Sequence, residues 1–304
     1  MISKVTVLGC HSATPRSNAY PSSQVVEMRG RFMLVDCGEG TQMRLREQKI
    51  SFTKIKHIFI SHLHGDHFYG LIGLISTFSL LNRNADLHIY GPKGIKQIIL
   101  LQLKLSASYT KFKLFFHELE SHEPELIFED DKIKVHTVPL DHRVYTNGFI
   151  FQEKERDRKL NMDAVQNYPE IEVCDYNNIK KGKDYTLEDG TLIPNTDLTF
   201  APNPPKSYAY LSDTSFKPSI CPQIENCNLI YHEATFMESE IDLAEKTKHS
   251  TAKQAASIAK EAQVKKLMIG HFSNRYTNLE HVLEEAKETF ENTILAKSGL
   301  SVII

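Results

Sequence analysis

The sequence predicts an α/β fold, because short runs rich in β-branched residues alternate with longer amphipathic stretches. The 304 residues suffice for one large domain or two ordinary ones, and 41% apolar with 24% charged residues is ordinary globular composition. The chain contains no internal repeat and no linker rich in Gly, Ser and Pro. We therefore expect one domain that spans residues 1–304 and carries one insertion.

The predicted strands follow the apolar β-branched runs in chain order. They are residues 4–8, 24–28, 31–35, 57–60, 87–90, 134–138, 207–211, 228–231 and 265–269. Gly30 is the predicted turn between the second and third strands, since glycine adopts the left-handed conformation without a steric penalty.

The predicted helices lie near residues 41–48, 69–81 and 93–103, and two later helices have clear start signals. Thr251 and Gln254 have the spacing of a capping box, which predicts a helix that starts at this point. Asn278 is the predicted cap of the last helix. Apolar residues recur at helical spacing after both caps, at Ala255, Ala256, Ile258, Ala259 and Ala262, and at Leu279, Val282, Leu283, Ala286 and Phe290.

Composition also limits location and partners. No apolar run approaches the ~20 residues that a membrane span requires, and the first ten residues lack the apolar core of a signal peptide. Five cysteines without Cys-x-x-Cys spacing indicate free thiols and a cytoplasmic protein. The net charge of −2 argues against a uniformly basic nucleic-acid-binding surface, although a local basic patch remains compatible with it.

The strongest signal is a cluster of metal-ligating side chains directly after a predicted strand. His62, His64, Asp66 and His67 fall within six residues, and we expect Gly65 to let the backbone turn tightly among them. In a loop that leaves a strand, the first two can converge on one ion and the last two on its neighbour. Imidazole and carboxylate ligands suit zinc, with manganese or iron as alternatives.

Three further candidate ligands occupy the same structural context. His142, Asp213 and His271 each follow a predicted strand by a few residues. Functional groups in α/β proteins collect beyond the carboxyl ends of strands, so these side chains are predicted to join the first four at one metal centre.

Several motifs carry a resemblance to known proteins. The His-x-His-x-Asp-His run at 62–67 resembles the metallo-β-lactamase superfamily. The segment Asp-Cys-Gly-Glu-Gly-Thr-Gln at 36–42 is similar to a motif of the ribonuclease Z family, the endoribonucleases that process transfer RNA 3′ ends. Further motifs of that family, including its opening stretch at 8–15, occur in the expected order, with His-Glu-Ala-Thr at 232–235, His-Ser-Thr at 249–251 and Gly-His-Phe-Ser-Asn-Arg-Tyr at 270–276.

The resemblance implies a four-layer αβ/βα sandwich that binds two Zn²⁺ per subunit. One ion would take His62, His64 and His142, the other Asp66, His67 and His271, with Asp213 bridging them. It also implies removal of the 3′ trailer from transfer RNA precursors. The cut would follow the discriminator nucleotide and leave a 3′ hydroxyl on the transfer RNA and a 5′ phosphate on the trailer.

The resemblance assigns catalytic roles as well. Asp66 would orient the nucleophile and accept its proton, and His249, oriented by Glu233, would protonate the leaving group. Other residues have two interpretations each. Asp36 is either a partner of a ligand histidine or a turn residue, and His232 is either such a partner or a core residue. Arg275 and Tyr276 are candidates to contact phosphate or stack on a base.

Residues 152–203 differ in composition from the rest and are predicted to be an insertion. The resemblance implies that this insertion is the arm that grips the transfer RNA elbow. It also implies a homodimer in which the arm of one subunit serves the active site of the other. The mixed charge of the insertion equally favours a plain solvated excursion. Its candidate RNA contacts are Arg156, Arg158, Lys159, Lys180, Lys181 and Lys183.

Two other functions use the same ligands. The first is hydrolysis of a small substrate, such as a small phosphodiester, a lactam or a thioester, which needs no arm. The second is a non-catalytic RNA-binding protein stabilised by zinc, which the full set of seven ligand positions argues against.

Overall fold

The structure is a computed structural model that describes residues 2–304, and these divide into two compact units. The larger unit comprises residues 2–152 and 206–304, and the smaller comprises residues 153–205. None of the helices in the described part of the chain combines the length and the apolar character that a membrane-spanning helix needs.

The strands lie in two large sheets and two small ones. In chain order they are β1 (Lys4–Gly9), β2 (Ser23–Met28), β3 (Arg31–Val35), β4 (Ile55–Phe59), β5 (Leu87–Pro92), β6 (Leu114–Leu119), β7 (Leu126–Glu129), β8 (Ile133–Pro139), β9 (Asn147–Glu153), β10 (Lys159–Leu160), β11 (Tyr185–Thr186), β12 (Leu192–Ile193), β13 (Thr199–Phe200), β14 (Ser207–Leu211), β15 (Leu229–Glu233), β16 (Leu267–Gly270), β17 (Thr293–Leu295) and β18 (Ser301–Ile303).

The helices follow the same order. They are α1 (Thr41–Glu47), α2 (Gly65–Phe68), α3 (Gly70–Leu80), α4 (Ile95–Leu105), α5 (Met162–Val165), α6 (Tyr176–Lys180), α7 (Asn195–Leu198), α8 (Ile241–Thr247), α9 (Ala252–Glu261) and α10 (Glu280–Thr289).

The larger unit is a four-layer sandwich. Its first sheet has the order β18-β1-β2-β3-β4-β5-β6 and its second the order β17-β16-β15-β14-β9-β8-β7. Side chains of both sheets, among them Met33, Phe59, Phe149 and Tyr210, share one buried cluster between them. Helices α1, α3 and α4 pack on the outer face of the first sheet, and α9 and α10 on that of the second.

The predicted α/β class and most predicted elements of the larger unit are confirmed. Gly30 has a φ of 80°, as its predicted turn requires. Thr251 and Gln254 form both hydrogen bonds of the capping box that starts α9. The predicted cap of the last helix is wrong by one residue: Leu279 is the N-cap of α10, although the Asn278 side-chain oxygen accepts a hydrogen bond from the Glu280 N–H.

Five strands of the two large sheets were not predicted: β6, β7, β9, β17 and β18. Strands β6, β7, β17 and β18 end their sheets, and the last two have only three residues each. A sheet edge buries less side-chain surface than the centre, so its apolar pattern is weak. In β6, for example, Phe115 and His117 are exposed although the strand is fully paired with β5.

The smaller unit contains the predicted insertion and has a core of its own. Strand β10 pairs with β13 and β11 pairs with β12, each antiparallel. A separate apolar cluster lies beneath them, made of Val165, Ile171, Ile179, Ile193 and Leu198. The segment is therefore a folded unit rather than an irregular loop.

Candidate metal centre

The candidate ligands occupy the loops and the short helix that follow four strands of the larger unit. His62 and His64 follow β4, and Asp66 and His67 lie in α2. The other three follow β8, β14 and β16 at His142, Asp213 and His271. All seven predicted ligands come together, and their ligand atoms form two adjacent groups.

The first group joins His62, His64, His142 and Asp213. His64 Nδ1 lies 3.0 Å from His62 Nε2 and 3.3 Å from His142 Nε2. Asp213 Oδ2 lies 3.4 Å from His62 Nε2 and 3.8 Å from His142 Nε2. Tetrahedral zinc with bonds of about 2.0–2.1 Å holds its ligand atoms roughly 3.3 Å apart, so these spacings fit one such ion.

The second group joins Asp66, His67 and His271. Asp66 Oδ2 lies 3.4 Å from the Nε2 atoms of both histidines. Asp213 Oδ1 faces this group, 3.2 Å from His271 Nε2 and 3.5 Å from His67 Nε2. The two oxygens of one carboxylate therefore face different groups, which is the position of a bridging ligand.

Three residues at the centre have a left-handed backbone conformation. Asp36, Asp213 and His271 have φ values of 53°, 56° and 58°, in the left-handed region that residues other than glycine seldom adopt. Each lies immediately after a strand of the large sheets or one residue beyond it. This conformation turns the chain sharply at the strand end, and such strain persists only where surrounding contacts enforce it.

Asp36 is one of those contacts. Its buried carboxylate accepts hydrogen bonds from the Ser61 N–H at 2.8 Å, the Ser61 hydroxyl at 2.9 Å, the Tyr210 hydroxyl at 2.7 Å and His67 Nδ1 at 2.6 Å. The proton on Nδ1 leaves the Nε2 lone pair of His67 directed at the second group. Asp36 thus bonds to His67, a candidate ligand, as one of its two predicted roles requires.

Other ligand histidines are fixed through their outer nitrogens in the same way. His142 Nδ1 donates to the Lys248 carbonyl at 2.8 Å, and His271 Nδ1 lies 2.9 Å from the Thr235 hydroxyl. Neither Thr235 nor Lys248 was predicted to have a role, although Thr235 lies in the His-Glu-Ala-Thr motif and Lys248 directly precedes His-Ser-Thr. The Lys248 contact uses a backbone carbonyl, which leaves no signal in a sequence. Thr235, in contrast, is part of the His-Glu-Ala-Thr motif and could have been recognised.

Two observations indicate that the centre accommodates a cation. The Nε2 atom of His67 is buried and has no hydrogen-bond partner in the structure. Burial lowers the pKa of this imidazole, but the carboxylates of Asp213, Asp66 and Asp36 outweigh burial and raise its pKa well above the usual value. The surroundings of His67 therefore favour positive charge, and the donor set suits a metal ion. The centre is a metal-binding site.

Glu233 and His249 form a second polar pair beside the ligands. His249 Nδ1 lies 2.8 Å from Glu233 Oε1, and Glu233 also accepts hydrogen bonds from the Thr214 N–H and the Thr235 hydroxyl. Burial lowers the pKa of His249, but the Glu233 carboxylate overcomes this and raises it to about 9. The ring of His249 stacks on that of His271 at 5.4 Å.

Gly65 does not have the role that the sequence suggested. It is the first residue of α2 and is not among the glycines with positive φ. A Cβ atom at this position would lie 2.3 Å from Cε2 of the Tyr69 ring and 2.6 Å from its Cδ2. The glycine is required because an aromatic ring packs against its backbone, rather than because the chain turns there.

His232, Arg275 and Tyr276 lie outside the ligand groups. His232 is a buried residue whose Nδ1 donates to the Glu233 carbonyl at 2.7 Å. Arg275 and Tyr276 both bond to Glu240, and the Tyr276 hydroxyl also accepts from the Met237 N–H. These contacts hold both side chains in intramolecular interactions, which is a structural role that their position in the sequence did not reveal.

A cavity of about 530 Å³ opens over the two ligand groups. Asp66, Asp213, His249 and His271 lie on its floor, and its wall includes Tyr69, Arg143 and Phe236. Ligands, the Glu233–His249 pair and an exposed arginine thus face one space, an arrangement suited to hydrolysis of a phosphate ester.

Known proteins resemble this chain in both sequence and structure. A family model described as anti-Pycsar protein Apyc1 matches residues 3–179. A ribonuclease Z of Bacteroides fragilis is 47% identical over 296 residues, which are 97% of each chain. The short form of human tRNase Z superposes with a TM-score of 0.73 and 27% identity over 98% of each chain. The metallo-β-lactamase fold protein YhfI from Bacillus subtilis has a TM-score of 0.69 and 20% identity over the full length of both.

Replacing Asp36 tests how far the centre depends on this carboxylate. Asp36→Asn should weaken metal affinity about 10- to 100-fold, because His67 loses the acceptor that fixes its tautomer and orientation. Affinity is measured by titration of the purified protein with metal against a competing chelator. Asp130→Asn, at a surface pair with Arg31, is the matched control and should bind metal like the wild type. Equal affinity in both variants would contradict the role given to Asp36.

Proposed function

Because the chain belongs to the ribonuclease Z family, the endoribonucleases that process transfer RNA 3′ ends, we propose that it cuts transfer RNA precursors directly after the discriminator nucleotide. Residues 3–179 belong in addition to the family described as anti-Pycsar protein Apyc1. The match to the Bacteroides fragilis relative covers 97% of the chain and thus extends far beyond residue 179, so the proposed function rests on this relative. The products would be a 3′ hydroxyl on the transfer RNA and a 5′ phosphate on the trailer.

We propose two Zn²⁺ per subunit as the cofactors. His62, His64 and His142 would hold one ion, Asp66, His67 and His271 the other, and Asp213 both. The two separate groups of ligand atoms, with one oxygen of Asp213 facing each, support two ions. A pair of zinc ions supplies Lewis acidity to the phosphoryl oxygens and makes water acidic enough to ionise near neutral pH.

The residues of the chain supply orientation and proton transfer. The Asp66 carboxylate faces the cavity, where it would accept a hydrogen bond and then the proton of the attacking water. His249 also faces the cavity, and its Nδ1 is held by Glu233, which leaves Nε2 free to deliver a proton to the departing 3′ oxygen. The Glu233–His249 hydrogen bond is the observation that supports these separate roles, because it fixes one tautomer of the ring.

The direct test is cleavage of a precursor transfer RNA that carries a 3′ trailer. A chelator should abolish the cut and added zinc should restore it, with the product ending in a 3′ hydroxyl after the discriminator nucleotide. Asp66→Ala should abolish turnover, and His249→Ala should lower kcat by about 10²- to 10⁴-fold through loss of the acid. Asp242→Ala, at an exposed position of α8, is the control.

Near-normal cleavage by the Asp66→Ala variant would contradict the role proposed for Asp66. A wild-type protein that left the precursor uncut but hydrolysed a small phosphodiester would keep the metal centre and change the substrate to a small molecule.

We also propose that the smaller unit, residues 153–205, is the arm that binds transfer RNA. It has seven basic and eleven acidic residues, so any RNA contact has to be local rather than spread over its surface. Arg158, Lys159 and Lys180 line one cavity of about 380 Å³ together with a single acidic residue, Asp157, and this excess of positive charge supports the proposal. Arg156 is paired with Glu153 at 3.0 Å, which makes it a weaker candidate.

Removing two of these charges distinguishes a role in RNA binding from a role in catalysis. Lys159→Ala combined with Lys180→Ala should raise KM for precursor several-fold and reduce the slope of log affinity against log salt by about 2. Hydrolysis of a small phosphodiester should not change. Lys260→Ala combined with Lys265→Ala, at two exposed lysines of the larger unit, is the matched control. Equal losses on both substrates would assign the two lysines a structural role instead.

We propose a homodimer formed through α3 and α4. Leu80 is 82% exposed, Leu105 77% and Leu101 51%, and these two helices contact each other. Neighbouring exposed leucines mark an association surface, and a second copy is the partner that the family resemblance supplies. Light scattering should give twice the mass of the chain, and Leu101→Glu with Leu105→Glu should give a monomer. Leu192→Glu, equally exposed in the smaller unit, should leave the mass unchanged.

Cytoplasmic location remains a proposal. It is supported by the absence of disulfides among the five cysteines, all of which lie in the described residues, and is tested by cell fractionation.

A further inference from the structure

The cavity over the metal ligands has one freely accessible aromatic ring. Tyr69 is 59% exposed, whereas Phe236, the other phenyl or phenol ring on the wall, is only 5% exposed. The guanidinium of Arg275 also lies 5.1 Å from the centre of the Phe236 ring. Of these two rings, Tyr69 is therefore the one that a ligand can cover.

The Tyr69 ring packs against two neighbouring residues of the chain. Its Cδ2, Cε2 and Cζ atoms pack against Gly65, where even a methyl group would clash. The Phe68 ring contacts it in a T-shaped arrangement, with the ring centres 5.0 Å apart. The Tyr69 N–H donates to the Gly65 carbonyl at 2.9 Å, which closes the turn between the two residues.

The position of Gly65 places this ring beside the reacting phosphate. Gly65 lies between the ligands His64 and Asp66 in the chain, so the ring rests directly on the loop that holds both ligand groups. Any phosphodiester bound at the metal centre has its nearest nucleotides within the same cavity. The ring accordingly borders the space that the first base on one side of the cut would occupy.

An exposed aromatic ring is the surface on which single-stranded bases stack, and such stacking tolerates any base. We propose that Tyr69 forms a nucleobase subsite that stacks on the base adjoining the scissile phosphate. The subsite rests on the proposed cleavage of transfer RNA precursors and adds to it how the flanking nucleotide is held. Because stacking does not read hydrogen-bond groups, the subsite positions the strand without selecting its sequence.

The first experiment distinguishes the effect of the aromatic ring from the effect of side-chain size. Tyr69→Leu, which keeps an apolar side chain but removes the π-face, should lower kcat/KM for precursor about 10- to 100-fold. Tyr69→Phe, which keeps the ring, should stay within roughly twofold of the wild type. Metal content should be unchanged in both, and for Tyr69→Leu the loss on a small phosphodiester without a base should be far smaller than the loss on precursor, since that substrate has no base to stack.

The second experiment identifies the base. Precursors that are abasic at the discriminator nucleotide or at the first trailer nucleotide are cut by the wild type and by Tyr69→Leu. On the substrate that lacks the stacked base, the wild type should already be slow and the substitution should add no further loss. The other abasic substrate should retain the full difference between the two enzymes.

Three results would overturn the subsite. They are a Tyr69→Leu variant that cuts intact precursor like the wild type, a loss that persists undiminished on both abasic substrates, and an equal loss on the small phosphodiester. The last would mean that the ring only shapes the metal loop. Failure of the wild type to cut any precursor would instead refute the proposed function, and the subsite with it.

Discussion

The Asp36 carboxylate is the contact on which both the sandwich and its metal centre depend. It is buried between the two large sheets, where an unpaired charge would be prohibitively unfavourable, and four hydrogen-bond donors compensate it. The donors come from Ser61 after β4, from His67 in α2 and from Tyr210 in β14 of the opposite sheet. One side chain thereby ties the two sheets together and aims a ligand nitrogen. Fold stability and ligand geometry consequently share the same hydrogen bonds.

The electrostatics of the centre follow from this arrangement. Asp36, Asp66 and Asp213 surround His67, and their charge favours an added positive charge at that position. A metal ion satisfies this demand and binds only where the strands from both sheets have brought the ligands together. Metal binding is therefore coupled to the folded state of the larger unit and stabilises it by mass action.

The sequence was most informative where the chemistry is local. The run from His62 to His67 follows an apolar strand, and the single ligands His142, Asp213 and His271 follow strands that could be recognised, so the grouping of all seven was predictable. What could not be predicted depends on three-dimensional neighbours. The left-handed backbone at Asp213 and His271, the inward Nδ1 of His64 and the Lys248 carbonyl behind His142 have no one-dimensional signature. Gly65 was misinterpreted for the same reason. A glycine in a sequence can indicate a tight turn or a position where a neighbouring ring packs against the backbone, and only the structure distinguishes the two.

The spread of the ligands along the chain has a consequence for biosynthesis. The first candidate ligand is residue 62 and the last is residue 271, so the ligand set is spread over most of the larger unit. A ribosome-bound intermediate that has emerged as far as Asp213 possesses the first group of ligands but lacks His271 of the second. The second group is therefore completed only once His271 has been made, and a chain whose synthesis has not reached that residue cannot form the whole metal centre.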